Sequence, residues 1–252
     1  MVERARRAPV GTFYTPGEWR GGERVELDAS AAHHASVKRM AVGDAVRLTN
    51  GAGRRAEGVV DALSKRSCVV ALGDDPVDEV PAPAFIELWG PVGDRDRMLM
   101  LAEKSVELGL SSWRPIIYAR SRSVSPRGEG ESFREKLRLR QISALEQSGG
   151  AWLPASHVER SLDEALSMQD CDSLGDRILL DVAGDALGEV ARTLARGVTV
   201  AVGPEGGLED RERSVLIERG WRPASLGNNV LRFETAGIAA LAVLRSFLPS
   251  SR

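Results

Sequence analysis

The apolar run Val198-Thr199-Val200-Ala201-Val202 empties directly into Gly203-Pro204-Glu205-Gly206-Gly207-Leu208. Its length and β-branched residues suit one buried strand, and the proline and glycines that follow end it. A buried strand opening into a glycine loop is what an open α/β sheet places at its ligand-binding edge. A second string, Leu226-Gly227-Asn228-Asn229-Val230-Leu231-Arg232-Phe233-Glu234-Thr235-Ala236, again sets loop formers and charged groups just ahead of an apolar helical pattern. Two such loops close together put the chemistry in the last fifth of the chain.

The pattern upstream agrees with that sheet. Strands are predicted at 85–89, 115–118, 177–182 and 198–202. Helices are predicted between and after them, at 94–108, 131–147, 187–196 and 209–219. Asp94 suits the N-cap of the first, and Gly109 and Gly220 suit helix stops. Phe133, Leu137 and Ala144 share one helical face, as do Ala236, Ala240, Val243, Leu244 and Phe247 in a last helix. A polar loop spans 120–130. Alternating strands and helices predict an α/β domain whose mostly parallel sheet is covered on both faces.

Residues 1–78 read differently. Short segments at 24–27, 45–49, 56–62 and 67–72 alternate or run β-branched between the turns Val42-Gly43-Asp44 and Asn50-Gly51-Ala52-Gly53, with one short helix near 31–40. This predicts a small β-barrel. The acidic, proline-rich stretch 74–83 is the expected linker, which divides the chain into domains 1–78 and 79–252.

Several classes are excluded. No apolar run is long enough to cross a bilayer, and the basic start Met1 to Arg7 lacks the hydrophobic region of a secretory signal. Cys68 and Cys171 stand far apart, outside any metal-ligand spacing, which fits a reduced, cytoplasmic protein. His33, His34 and His157 have no ligand-like neighbours, so no metal is expected. No GxGxxG follows a strand, and the 203–208 loop lacks the Lys-Ser/Thr pair of a nucleoside-triphosphate loop. The net charge of −2 advertises no polyanionic partner, so any nucleic-acid contact would have to come from a local patch. Residues 1–75 carry 12 Lys/Arg against 10 Asp/Glu, and Lys38, Arg39, Arg47, Arg54 and Arg55 form the candidate patch.

Each candidate also has a plain structural reading. Gly203, Gly206 and Gly207 suit a tight turn as well as close backbone approach to a ligand. Glu205, Glu234 and Thr235 suit helix capping, and Arg232 a surface charge. The combination is what favours function.

The strings Gly203-Pro204-Glu205-Gly206-Gly207 and Leu231-Arg232-Phe233-Glu234-Thr235-Ala236 resemble the signature of the knotted SPOUT-class methyltransferases. Within that class the chain is similar to the bacterial family that methylates N3 of a uridine in 16S ribosomal RNA. His33-His34 through Val37-Lys38-Arg39 and Gly43-Asp44 resemble its PUA-like barrel, while Glu103-Lys104-Ser105-Val106-Glu107-Leu108-Gly109 and Glu146-Gln147-Ser148 resemble its middle motifs. The resemblance implies a C-terminal domain with a deep trefoil knot and a homodimer acting on ribosomal RNA or the small ribosomal subunit, away from any membrane. It also implies S-adenosyl-L-methionine as methyl donor, held by Leu180, Asp181, Val202, Gly203, Gly206, Gly207, Leu226, Gly227, Asn229, Val230, Leu231 and Thr235. Lys38, Arg39, Arg54 and Arg55 would meet RNA phosphates. Because N3 of uracil is a protonated imide, the reaction calls for a cation, assigned to Arg232, and a base, assigned to Glu205 or Glu234.

Two positions depart from the family pattern. Gly150 stands where the family places arginine, and Asn228-Asn229 where it places Pro-Arg or Pro-Lys. Two alternatives therefore stay open: a non-catalytic RNA-binding relative, or a methyltransferase acting on another RNA position.

Overall fold

The computed structural model describes residues 8–81, 84–123, 127–168, 175–194 and 197–248. Cys171 and the basic start 1–7 lie outside them. The chain divides into two compact units, one of residues 1–81 with 142–152 and one of residues 82–141 with 153–252.

In the first unit, strands β1 (Thr12–Tyr14), β2 (Arg24–Leu27), β3 (Ala45–Thr49), β4 (Arg54–Leu63) and β5 (Cys68–Leu72) form a curled sheet in the order β1-β3-β4-β5-β2. All pairs are antiparallel except β1 with β3. Period-2 alternation turns Val46, Leu48, Val60, Val70 and Leu72 inward onto Ala31, Ala32 and Ala35 of helix α1 (Ala29–Val37). Asp28 caps that helix, its carboxylate accepting from the Ala31 amide at 2.8 Å. β6 (Val77–Asp78) pairs with the start of β4, so part of the expected linker is sheet. The end of the long helix α3 (Glu131–Ser148) belongs here too. Its Glu146 accepts from the Tyr14 amide at 2.8 Å and from His34 Nδ1 at 3.2 Å. Burial pushes the Glu146 carboxyl above its ordinary range, against the opposing pull of Tyr14, His34 and Lys38. Two motifs more than a hundred residues apart, His33-His34 and Glu146-Gln147-Ser148, thus meet in one unit.

The second unit is built on a parallel sheet. Strands β7 (Phe85–Pro91), β8 (Ser112–Ile117), β9 (Ala155–Ser156), β10 (Arg160–Ser161), β11 (Asp176–Ala186), β12 (Gly197–Ala201) and β13 (Arg222–Ser225) run in the order β10-β8-β7-β12-β11-β13, with β9 also on β8. Helix α2 (Arg95–Glu107) starts on Asp94, which accepts from the amides of Asp96 and Arg97, and ends before Gly109 at φ +70°. With α5 (Leu187–Ala191) and α7 (Phe233–Phe247) it covers one face through Leu101, Val190, Ala240, Leu241 and Leu244. The opposite face packs Trp89, Tyr118, Leu166, Leu179 and Trp221 with α4 (Leu162–Ser167) and α6 (Asp210–Glu218).

Several elements differ from expectation for identifiable reasons. α5 stops at Ala191 because the Thr193 hydroxyl and amide both turn back to the Val190 carbonyl. The remainder of its expected span includes residues 195–196, outside those described. β13 contains Pro223, which lacks a ladder donor and survives because this strand is at the sheet edge. β11 runs beyond 182 through a register shift between Leu180 and Asp185. Phe247 of the last helix is largely exposed, while Phe233 at its other end is buried.

Candidate functional site

In-register parallel pairing brings the sequence-marked loops to one edge. Leu179 pairs with Ala201, and Leu180 with Ala224. Residues 180–183, at the register shift inside β11, therefore lie beside residues 202–208 and 226–232, which follow β12 and β13. Ala201 also pairs with Trp89, which adds the end of β7 to the row. This is the carboxyl edge of the sheet, where α/β ligand sites form. Gly93, just past β7, has room for no more than the Phe233 ring, whose carbons lie 3.0 Å and 3.4 Å from the position a Cβ would take. That contact seats the start of α7 at the same edge.

The 203–208 loop is a compact turn. The Gly207 amide donates to the Pro204 carbonyl at 2.8 Å, and Gly207 has φ +71°, a conformation that side-chain-bearing residues rarely adopt. Glu205, at its crest, forms an ion pair with Arg97 from the first turn of α2. Arg120 Nη1, from the 3-10 turn after β8 (Ala119–Ser123), donates to the Gly206 carbonyl at 2.7 Å. Any Cβ on Gly206 would stand 3.1 Å from Arg120 Cβ, so glycine is what lets that arginine lie against the loop.

Asp181 stands at the register shift of β11, its carboxylate accepting from the Ala183 amide at 2.9 Å and from Arg213 Nε at 2.6 Å. Burial raises its pKa, but the Ala183 amide and the Arg213 guanidinium outweigh that and hold it below the usual carboxylate range. In the third loop, Gly227 has φ +129° and its amide donates to Ser225 Oγ at 3.1 Å. Asn229 and Val230 are open to solvent, Val230 at 88%. With Leu231 and Val182, that loop edge carries three exposed aliphatic side chains.

At the start of α7, Arg232 is the N-cap by backbone geometry but makes no side-chain capping bond, and Thr235 is exposed. Arg232 has no side-chain partner among the described residues. Glu234 is only 6% exposed, and its Oε2 atom has no hydrogen-bond partner. A buried carboxylate oxygen without a donor is costly, and such orphans call for an explanation. Neither Glu234 nor Thr235 is a plain cap.

The barrel-side candidates separate into two kinds. Arg54 donates to Asp78 at 2.9 Å and to the Trp19 carbonyl at 2.9 Å, and Arg55 bonds the Gly149 carbonyl at 2.9 Å and the Glu79 carboxylate. Arg47 pairs with Glu57. Lys38 and Arg39 are exposed, and Arg39 has φ +54°, alone among described non-glycine residues. Gly150 follows the Gly149 that Arg55 grips.

Arg97, Arg120 and Arg213 were absent from the sequence reading. Each acts on a partner tens of residues away, 108 residues for Arg97, and only the strand order shows which arginine reaches which loop.

An open parallel sheet with three loops and a returning helix gathered at its carboxyl edge defines an α/β ligand-binding domain of doubly covered type. The chain belongs to the RNA methyltransferase domain family, whose model matches residues 81–245, and the RNA methyltransferase PUA domain model matches residues 27–72. Over 236 residues it is 25% identical to ribosomal RNA small subunit methyltransferase E of Rickettsia conorii, covering 88% of this chain and 91% of that one. The enzyme of the same name from Bacillus subtilis is 28% identical over 230 residues, covering 86% and 88%. A crystal structure of ribosomal RNA small subunit methyltransferase E from Neisseria gonorrhoeae, bound to S-adenosyl methionine, superposes with a TM-score of 0.83 at 27% identity, covering 94% of this chain and 98% of that one.

Proposed function

We propose that this protein methylates N3 of a uridine in small-subunit ribosomal RNA with S-adenosyl-L-methionine as donor. The observation that carries the reading is the convergence of the 180–183, 202–208 and 226–232 loops at one sheet edge beside the start of α7. The residues present suit that donor. Backbone groups of two glycine loops and the aliphatic Val182, Val230 and Leu231 supply polar and apolar surface, and the orphaned Glu234 Oε2 can take a hydrogen bond. Asp181, Val202, Gly203, Gly206, Gly207, Leu226, Gly227 and Asn229 complete the proposed walls with Leu180 and Thr235.

When bound, S-adenosyl-L-methionine supplies a methyl group already activated by its sulfonium. What remains for the protein is alignment and proton management. To Arg232, which makes no side-chain capping bond at the start of α7, we assign stabilisation of the negative charge that gathers on the uracil carbonyl oxygens as the N3 proton leaves. Of the two carboxylates, Glu205 is occupied by Arg97, so we assign proton acceptance to Glu234.

In the first unit, Lys38 and Arg39 are the proposed phosphate contacts. Arg39 occupies the position after the α1 C-cap, where glycine avoids the left-handed penalty. Retaining arginine there is consistent with a need for its side chain, whereas Arg54 and Arg55 hold the barrel together. The exposed aliphatic edge at Val182, Val230 and Leu231 fits burial in a homodimer. We further propose that the chain closes a trefoil knot, with the segment from β13 to α7 threaded beside the β11–α5 connection. Among the described residues no helix is long and apolar enough to cross a membrane.

Calorimetric titration of the protein with S-adenosyl-L-methionine tests the reading: saturable uptake at one site per chain is expected. Absence of heat at any concentration, with the protein folded, would remove it and favour the non-catalytic alternative.

A further inference from the structure

We propose that Arg97 and Arg120 are positioning residues that clamp the crest of the 203–208 loop at two successive residues and thereby set its affinity for the methyl donor; the affinity part of this inference rests on the function proposed above. The two contacts fall on successive residues. Arg97 takes the Glu205 carboxylate, and Arg120 takes the Gly206 carbonyl at 2.7 Å.

The anchors are independent and rigidly mounted. Arg97 lies in the first turn of α2, where its own amide donates to the Asp94 cap at 3.1 Å. Asp94 thus fixes the backbone from which the Arg97 guanidinium reaches Glu205. Arg120 comes from the other side of β7, off the end of β8, and its aliphatic stem fills the space that a Cβ on Gly206 would need. Between them the loop has few other means of holding shape. Its internal tie is the Gly207-to-Pro204 turn, and Gly206 and Gly207 would otherwise carry the full backbone freedom of glycine.

The chemistry of such a loop explains why a clamp matters. A ligand gripped by backbone amides and carbonyls gains affinity when those groups are ordered before it arrives, because the ordering cost is then already met by the protein. Glycines permit close approach, and the arginines remove the disorder that glycines bring. The same geometry gives Glu205 a definite role: its charge anchors the loop to α2. Neither arginine needs to touch the reacting atoms.

The test uses the full chain in two measurements. Hydrogen exchange of the Gly207 amide, whose bond to the Pro204 carbonyl closes the turn, should accelerate at least tenfold in Arg97→Ala and in Arg120→Ala when measured without donor. Calorimetry with S-adenosyl-L-methionine should show the dissociation constant raised about tenfold or more in each. Turnover at saturating donor should change less than threefold. The charge-reversed pair Arg97→Glu with Glu205→Arg should recover most of the lost affinity, which a general loss of stability would not allow. Unchanged exchange in both alanine variants overturns the clamp. Faster exchange with unchanged affinity overturns its role in donor binding. A wild-type chain that takes up no donor defeats the proposed function, and the exchange data still decide whether the clamp exists.

Discussion

Replacing Arg114 with methionine should make the second unit unfold far more easily. Arg114 on β8 and Glu87 on β7 are both under 5% exposed, and two guanidinium nitrogens lie 3.3 Å from Glu87 Oε1. Trp89 Nε1 donates to the same carboxylate at 2.9 Å and Ser112 Oγ at 3.0 Å, while His157 Nε2 stands 3.9 Å away. At an effective dielectric of about 20 the gross attraction of such a pair is about 5 kcal/mol. Desolvation offsets much of that in the intact pair, but deleting one partner leaves a buried charge, and the expected loss is about 3–5 kcal/mol.

Without Arg114, the buried Glu87 charge keeps, among the described residues, only the Trp89 and Ser112 donors and the more distant His157 ring. Urea titration followed by the fluorescence of buried Trp89, Trp113 and Trp221 reads the effect directly. With a slope of about 2 kcal/mol per molar, the midpoint should fall by about 1.5–2.5 M. The double variant Glu87→Gln with Arg114→Met, which removes the buried charge but keeps an acceptor for Trp89 and Ser112, should recover most of the loss. A midpoint shift under about 0.5 M would refute the reasoning.

Three further outcomes are expected. Since burial raises the Glu146 pKa, its contribution to stability is greatest below the unfolded value and is lost as pH rises through the folded one. Glu146→Gln should therefore gain thermal stability relative to the parent between pH 5 and pH 8, and a constant difference would contradict this. Arg39→Gly should keep or raise stability, by up to about 1 kcal/mol, because it relieves a left-handed side-chain residue. It should also weaken binding to ribosomal RNA and flatten the salt dependence by about one phosphate contact, and unaltered RNA affinity would exclude Arg39 from the interface. Pulling the chain from its ends should leave a contour short of that of a fully extended 252-residue chain, because a tightened knot retains residues; full extension would show an unknotted path.

Elements with strong periodicity or punctuation could be read from the residues alone. Asp94 and Gly109 bracket α2 as their types require, and the β-branched run at 198–202 sits centrally in the sheet. What escaped notice depends on tertiary pairing. β13, with the sequence Arg-Pro-Ala-Ser, has no strand pattern and forms because β11 offers an edge. β9 and β10 contain two residues each and exist only against β8. The loops of the site were visible as glycine strings, but the arginines that hold them were not, since nothing local marks Arg97 as the partner of Glu205. Arg54 and Arg55 show the converse, since adjacent arginines resemble a surface patch until Asp78, Trp19, Gly149 and Glu79 are seen around them.

The central claim is met most directly by incubating the protein with small ribosomal subunits and methyl-labelled S-adenosyl-L-methionine, then digesting the RNA to nucleosides for mass spectrometry. The account predicts label in 3-methyluridine, arising from one position, and its loss in Arg232→Ala. Label in a 2′-O-methyl or carbon-methylated nucleoside, or no label with donor demonstrably bound, would contradict it.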